Sequence, residues 1–336
     1  MSLITKEQIT NLLKSVTISN GKTNIIEAGL VSGIIIRDQA IGFVIEALPE
    51  IENEIEQIKE KCYEALNNLN LKNITIVPTK ENVTPNANIK KKYKILNVKK
   101  VVLVASGKGG VGKSTIAANL ALAATMQNKK IGLIDADING PSIPHIFNVT
   151  EKPIIKDGKL IPIEKYNVKL LSMGLLIDQN LATIWRSPMY NKAMNQIIAG
   201  ANWGELDLII IDMPPGTGDI HLSLAENYEI DGVIIVSTPQ NLALLDVKKA
   251  LNMYDKFNLP IIGLIENMSY LVDNDGSKNY IFGQDGVKML ATKKNLNFLG
   301  EIPFEEKIRK IGDKAVASED IDYIYNVYGK FLRYII

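Results

Sequence analysis

Cysteine is almost absent from this chain: Cys62 is the only one in 336 residues. That excludes an intrachain disulfide and a cysteine-rich structural zinc site, and it points to a reducing, cytoplasmic setting. Long apolar runs are missing too. No stretch of about 18 consecutive apolar residues occurs, and residues 1–20 carry lysines and polar side chains where a signal peptide would have its apolar centre. A soluble, non-secreted protein without a membrane role is therefore expected. An excess of either charge is lacking as well. With 38 basic and 37 acidic residues the formal net charge is +1, too little to gather nucleic acid or an anionic membrane by an overall field. What is present is a 46% hydrophobic chain, long enough for about two domains.

Taken in order, the chain first suggests a small α/β domain over residues 1–79. Thr5 is placed to cap a helix with Ile9, Leu12, Leu13 and Val16 on one face, and the β-branched runs Gly29 to Ile36 and Ala40 to Ala47, separated by Arg37-Asp38-Gln39, read as a hairpin. A helix from Glu50 to Leu69 carries Ile51, Ile55, Ile58, Cys62 and Leu66 on one face, and Leu71 to Pro78 reads as a last strand. Cys62 on that apolar stripe is expected in the core. Residues 80–97 are polar and Pro/Asn-rich, and a lysine run, Lys90, Lys91, Lys92, Lys94, Lys99 and Lys100, begins in this segment and continues past it, with no aromatic pattern beyond Tyr93. This reads as a solvated linker rather than a nucleic-acid surface.

From residue 98 onward apolar strands alternate with helical stretches, which predicts a doubly wound, mostly parallel α/β sheet. Strands are expected at 100–105, 131–135, 168–173, 207–212, 232–237, 261–265 and 298–300, and a final helix from Ser318, as N-cap, to Ile336 is expected to pack on the sheet.

The first of these strands leads into Gly107-Lys108-Gly109-Gly110-Val111-Gly112-Lys113-Ser114-Thr115. The spacing G-x-x-x-x-G-K-S, between a strand and a helix, is that of a phosphate-binding loop: glycines let backbone N–H groups turn inward, Lys113 supplies a cation, and the Ser114 hydroxyl can bind Mg²⁺. An anion gains further from the N-terminus of the following helix. Three acidic motifs fall where such sheets bind ligands, at the carboxyl ends of strands. Asp212, in Asp212-Met213-Pro214-Pro215-Gly216-Thr217-Gly218-Asp219, is suited to deliver a carboxylate to the metal beside the phosphates, or else to cap a turn before Pro214. Asp137, in Asp135-Ala136-Asp137-Ile138-Asn139-Gly140-Pro141-Ser142, lies further out and is suited to align an attacking water, or else to hold a turn. Asn267, in Glu266-Asn267-Met268-Ser269, ends a strand with an amide able to read a base edge.

Lys108, inside the loop at a position that an ordinary phosphate loop leaves unspecified, resembles the extra lysine of deviant Walker A ATPases. Together with Trp185-Arg186-Ser187-Pro188-Met189, Trp203-Gly204-Glu205-Leu206-Asp207, Ser237-Thr238-Pro239-Gln240 and the motifs above, it makes residues 98–336 similar to the Mrp/ApbC family of ATP-binding iron–sulfur cluster carriers. The resemblance implies ATP and Mg²⁺ as ligands and slow hydrolysis in a homodimer, with iron–sulfur assembly or client proteins as partners. It also implies that Lys108 reaches the partner subunit's phosphates, that Asp137 and Asp212 are the two switch residues, and that Asn267 touches adenine. The chain departs from the family after Glu266-Asn267-Met268-Ser269: where relatives carry the cluster-ligating Cys-Pro-x-Cys, it has Asp273-Asn274-Asp275-Gly276, which reads as a hairpin turn. A stable iron–sulfur cluster is therefore not expected. Two rival readings are an ATP-gated scaffold without a cluster and a partitioning or septum-positioning ATPase of the same superfamily.

Overall fold

The structure, a computed structural model, describes residues 5–18, 23–37, 40–46, 54–69, 73–79, 92–138, 140–176 and 187–336. The turn Asp38-Gln39, the expected helix start at Glu50, Asn139 and Trp185-Arg186 lie outside them. The chain forms two compact units, residues 1–89 and 90–336.

In the smaller unit, helix α1 (Lys6–Leu13) starts where the sequence places it. Thr5 Oγ1 accepts from the Gln8 N–H at 3.3 Å while Gln8 Oε1 accepts from the Thr5 N–H at 3.0 Å, so two otherwise orphaned donors are satisfied. Strand β1 (Val31–Arg37) pairs antiparallel with β2 (Ala40–Glu46), and β3 (Asn73–Thr79) pairs parallel with β2. Arg37, expected in the turn, belongs to β1. Helix α2 (Ile55–Leu66) buries Ile58, Cys62 and Leu66 at i, i+4 and i+8 against Ile9, Leu13, Phe43 and Ile45.

The larger unit runs β4 (Val98–Ser106), α3 (Lys113–Thr125), β5 (Ile131–Asp135), α4 (Ile143–Ile146), β6 (Ile155–Lys156), β7 (Lys159–Leu160), β8 (Ile163–Lys165), β9 (Val168–Ser172), α5 (Met173–Leu176), α6 (Ser187–Ile198), β10 (Leu206–Asp212), α7 (Asp219–Asn227), β11 (Gly232–Ser237), α8 (Asn241–Lys256), β12 (Ile261–Glu266), β13 (Leu271–Val272), β14 (Lys278–Asn279), α9 (Gly286–Lys293), β15 (Phe298–Glu301), α10 (Glu306–Lys314) and α11 (Ile321–Leu332). Eight of these strands form one sheet in the order β15-β12-β11-β4-β10-β5-β9-β8, parallel except for β8. Tyr93 joins this unit ahead of β4, exchanging backbone hydrogen bonds with Asn227 and Glu229.

Successive residues of a strand face opposite sides, and here both sides are covered. Leu103, Ala105, Ile209 and Ile211 pack under α6, α7, α8 and α9, while Val102, Val104, Leu208 and Ile210 pack under α3, α4 and α11. Helix α3 is apolar all round and almost wholly buried, as a helix between the sheet and α11 must be. The end of the chain differs from expectation in one detail. Ser318 opens a 3-10 turn, Ser318–Asp320, and the Asp320 carboxylate accepts from the Ala317 N–H, so Ser318 is not the cap. Tyr328, Phe331 and Leu332 of α11 are buried, at about 1.5–3 kcal/mol per side chain, which holds this helix in the core rather than free for a membrane. Among the described residues no helix is long and apolar enough to cross one.

Candidate functional site: a phosphate loop beside two acidic strand ends

The carboxyl ends of β4, β5, β10 and β12 converge on one side of the sheet. Between β4 and α3, Gly110 and Gly112 adopt left-handed backbone conformations (φ 78° and 83°) that glycine reaches without a Cβ penalty. A Cβ on Gly112 would collide with the Asn267 amide, so the close approach of the two segments depends on that glycine. Helix α3 starts at Lys113, so its first-turn N–H groups have no intrahelical acceptor and face the loop.

Lys113 Nζ lies 2.5 Å from Asp212 Oδ1 and 3.2 Å from Ser114 Oγ. Asp212 is fully buried; its second oxygen, Oδ2, has no hydrogen-bond partner among the described residues. Burial pushes the Asp212 carboxyl above its ordinary range, opposed by the Lys113 ammonium and the Ser114 hydroxyl. Asp135 stands beside Asp212 in register across β5 and β10. It too is raised, by burial first and by the Asp212 charge second. Its oxygens accept from the N–H groups of Asp137 and Ile143 and from Ser172 Oγ, so Asp135 shapes the turn that carries Asp137 outward. Asp137 in turn accepts from the Gly140 N–H at 3.1 Å.

Lys108, Gly109, Gly110, Val111, Gly112, Lys113, Ser114, Thr115, Asp137 and Pro215 line a cavity of about 300 Å³. Gly107 stands apart from that lining and packs on α8, where a Cβ would strike the Asp246 backbone. An adjoining cavity of about 480 Å³ shares Gly112, Thr115 and Ser142 with the first and extends between Asn267, Phe304 and Ile308. Asn267 Nδ2 donates to Val111 O at 2.9 Å, tying the strand-end amide to the loop. Glu266 holds this corner: one oxygen accepts from Ser269 Oγ at 2.6 Å and the other from the Val287 N–H at 2.8 Å. The larger cavity was not legible from motifs, because parallel pairing of β12 with β15 creates it by bringing residues 267–270 beside 302–304.

The NUBPL iron-transfer P-loop NTPase model matches residues 97–332. The chain belongs to this family. An iron–sulfur cluster carrier protein of Rickettsia felis is 43% identical over 293 residues, 87% of this chain and 89% of that protein. The Arabidopsis thaliana iron–sulfur protein required for mitochondrial NADH dehydrogenase is 47% identical over 224 residues, covering 65% and 71%. Among solved structures, a nucleotide-binding protein from Archaeoglobus fulgidus in complex with ADP superposes with a TM-score of 0.58 at 36% identity, covering 65% of this chain and 86% of that one. The Pyrococcus furiosus cell division ATPase MinD, at 19% identity and a TM-score of 0.53, shares the fold alone. These matches establish the P-loop NTPase fold and the iron–sulfur branch read from the motifs.

Against that family background, the donor set for a cluster is a poor fit. Iron–sulfur clusters are held by thiolates, and the one thiol here, Cys62, is fully buried in the smaller unit with its pKa pushed up by burial to about 12. The segment 273–277 forms the expected turn: the Gly276 N–H donates to Asp273 O, and β13 pairs antiparallel with β14 at Lys278–Asn279. No group of three or more His, Cys, Asp or Glu among the described residues could hold a metal ion.

Proposed function

We propose that the chain binds Mg·ATP in the two adjoining cavities, hydrolyses it slowly as a homodimer, and serves iron–sulfur cluster assembly or transfer. The observation that carries this reading is the buried Lys113–Asp212 pair beside a complete phosphate loop, with Ser114 at its side.

Loop amides and Lys113 neutralise the β- and γ-phosphates, and the N-terminus of α3 adds its dipole. Mg²⁺ suits the unpartnered Asp212 Oδ2 together with the Ser114 hydroxyl; when bound it supplies further charge neutralisation at the phosphates. Asp137, on the cavity wall, orients the attacking water. The base occupies the larger cavity against Asn267 and Phe304. Lys108 adds positive charge from the partner subunit. The dimer is supported by Leu242 and Leu245 of α8, which are 75% and 52% exposed beside Asp246, the residue packed on Gly107.

Of the two ways to serve the cluster pathway, an ATP-gated scaffold is favoured over a carrier by the buried state of Cys62. The partitioning and septum reading loses its terminal membrane helix to the core. Titration of ATP by calorimetry, with phosphate release measured on the same sample, tests the nucleotide reading; a chain that neither binds nor hydrolyses ATP refutes it.

A further inference from the structure

Among the described residues, each acidic loop is held from outside the cavity by a side-chain hydrogen bond to a backbone carbonyl. After β5, Tyr190 Oη donates to Ala136 O at 2.6 Å. After β10, His221 Nε2 lies 3.0 Å from Pro214 O. A carbonyl can only accept, so Nε2 carries the hydrogen, and Nδ1 accepts from Tyr254 Oη at 2.6 Å. Each held carbonyl is followed by a residue that lines the phosphate cavity, Asp137 in one loop and Pro215 in the other, while Tyr190 and His221 line neither cavity. Both are buried, at 5% and 1% exposure.

The two donors sit on α6 and α7, which pack together; Tyr228, just past α7, donates to Asn195 of α6. The loops are joined directly as well, by the Ala136 N–H to Asp212 O at 2.9 Å. Burial keeps the His221 imidazole neutral, its pKa lowered to about 4, so the tautomer required by Pro214 O is the one present near neutral pH.

We propose that Tyr190 and His221 are positioning residues for ATP hydrolysis, setting through Ala136 and Pro214 where Asp137 and the loop after Asp212 stand relative to the phosphates. This rests on the ATPase reading above. A buried hydroxyl and imidazole could serve packing alone, but packing does not require each to end on the carbonyl next to a cavity residue. Displacement of a reacting group by about 1 Å costs on the order of 100-fold in rate without equal loss of binding, so the signature is a fall in kcat at constant ATP affinity.

The test uses the full chain with Tyr190→Phe, His221→Leu and His221→Gln, measuring kcat, KM and ATP affinity by calorimetry. Tyr190→Phe and His221→Leu are expected to lower kcat about tenfold with ATP affinity within about twofold of the parent. His221→Gln, which keeps an N–H donor for Pro214 O, is expected to recover most of the rate. Unchanged kcat in Tyr190→Phe, parallel loss of affinity and rate, or a glutamine variant as slow as the leucine one overturns the inference. If His221→Leu does not fold, Tyr190→Phe and His221→Gln decide it. A parent that hydrolyses no ATP defeats the ATPase reading itself, whereas a working parent with unaffected variants defeats this inference alone.

Discussion

Lys113 and Asp212 neutralise each other inside the protein, Nζ to Oδ1 at 2.5 Å with side chains 6% and 0% exposed. Removing one partner of such a pair leaves a buried charge and costs about 3–5 kcal/mol, whereas removing both can be nearly neutral. Lys113→Ala should therefore abolish tight ATP binding and lower stability by about that amount. The double variant Lys113→Ala/Asp212→Asn should recover most of the stability and none of the binding. Denaturant titration beside calorimetry checks both, and undiminished ATP affinity in Lys113→Ala would contradict the assignment of the site.

Lys108 lies on the cavity wall within the same loop, with Ser106 Oγ bonded to its carbonyl at 2.9 Å. If it acts across the dimer, Lys108→Ala weakens hydrolysis and ATP-dependent dimerisation more than nucleotide binding by the monomer. Sedimentation with a non-hydrolysable ATP analogue measures this. Equal dimerisation and equal turnover in variant and parent would reduce Lys108 to a loop residue.

Asn267 fixes the position of Val111 through the 2.9 Å bond from Nδ2. Its loss in Asn267→Ala is worth about 1–2 kcal/mol, or roughly tenfold in Kd. If the base sits against Asn267 as proposed, ADP and ATP should weaken by the same factor; a loss confined to ATP would move Asn267 to the γ-phosphate.

His221 gives stability a pH dependence of known sign. Its pKa falls from the ordinary 6.5 to about 4, so between those values the unfolded chain binds a proton that the folded chain refuses, and stability drops as pH falls. The full effect is about 3 kcal/mol, complete above pH 6.5 and lost towards pH 4. Denaturant midpoints of the parent and His221→Gln should converge on acidification from pH 7 to 5. A constant gap between them would mean that His221 is not held neutral.

Cys62 leads to a prediction about cargo. A fully buried thiol with its pKa raised to about 12 reacts slowly, because the thiolate is the nucleophile and ligand. Alkylation of the native protein should be negligible and become stoichiometric on unfolding. Anaerobic reconstitution with iron and sulfide should leave no chelator-resistant [4Fe–4S] absorbance; a near-stoichiometric brown species would mean that external thiols or a partner supply ligands.

The parts of this molecule visible in the sequence were those where burial is two-sided or spacing is fixed by chemistry. β10 and β11 carry the central apolar runs Leu208–Ile211 and Val233–Val236, and their ends fall within one residue of expectation. β8, Ile163–Lys165, is three residues long and two of the three are charged, so no periodicity announces it. Ser318 looked like a cap because serine is a good one, but Ala317 takes the N-cap position and Asp320 reaches back to accept from its N–H. Lys113, Ser114 and Asp212 could be named from local motifs, whereas the cavity beside Asn267 joins segments far apart in the chain. Tyr190 and His221 carry no motif of their own; an aromatic ring and a lone imidazole on apolar helix faces look like core until their hydrogen bonds are traced.

The bond from the Ala136 N–H to Asp212 O has a consequence for signalling. A backbone hydrogen bond from one loop to the root of the other couples them: a displacement of Ala136 would stretch its bond to Asp212 O unless both moved together. Should the proposed nucleotide cycle shift one acidic loop, a protein docked on the other would then sense the same event.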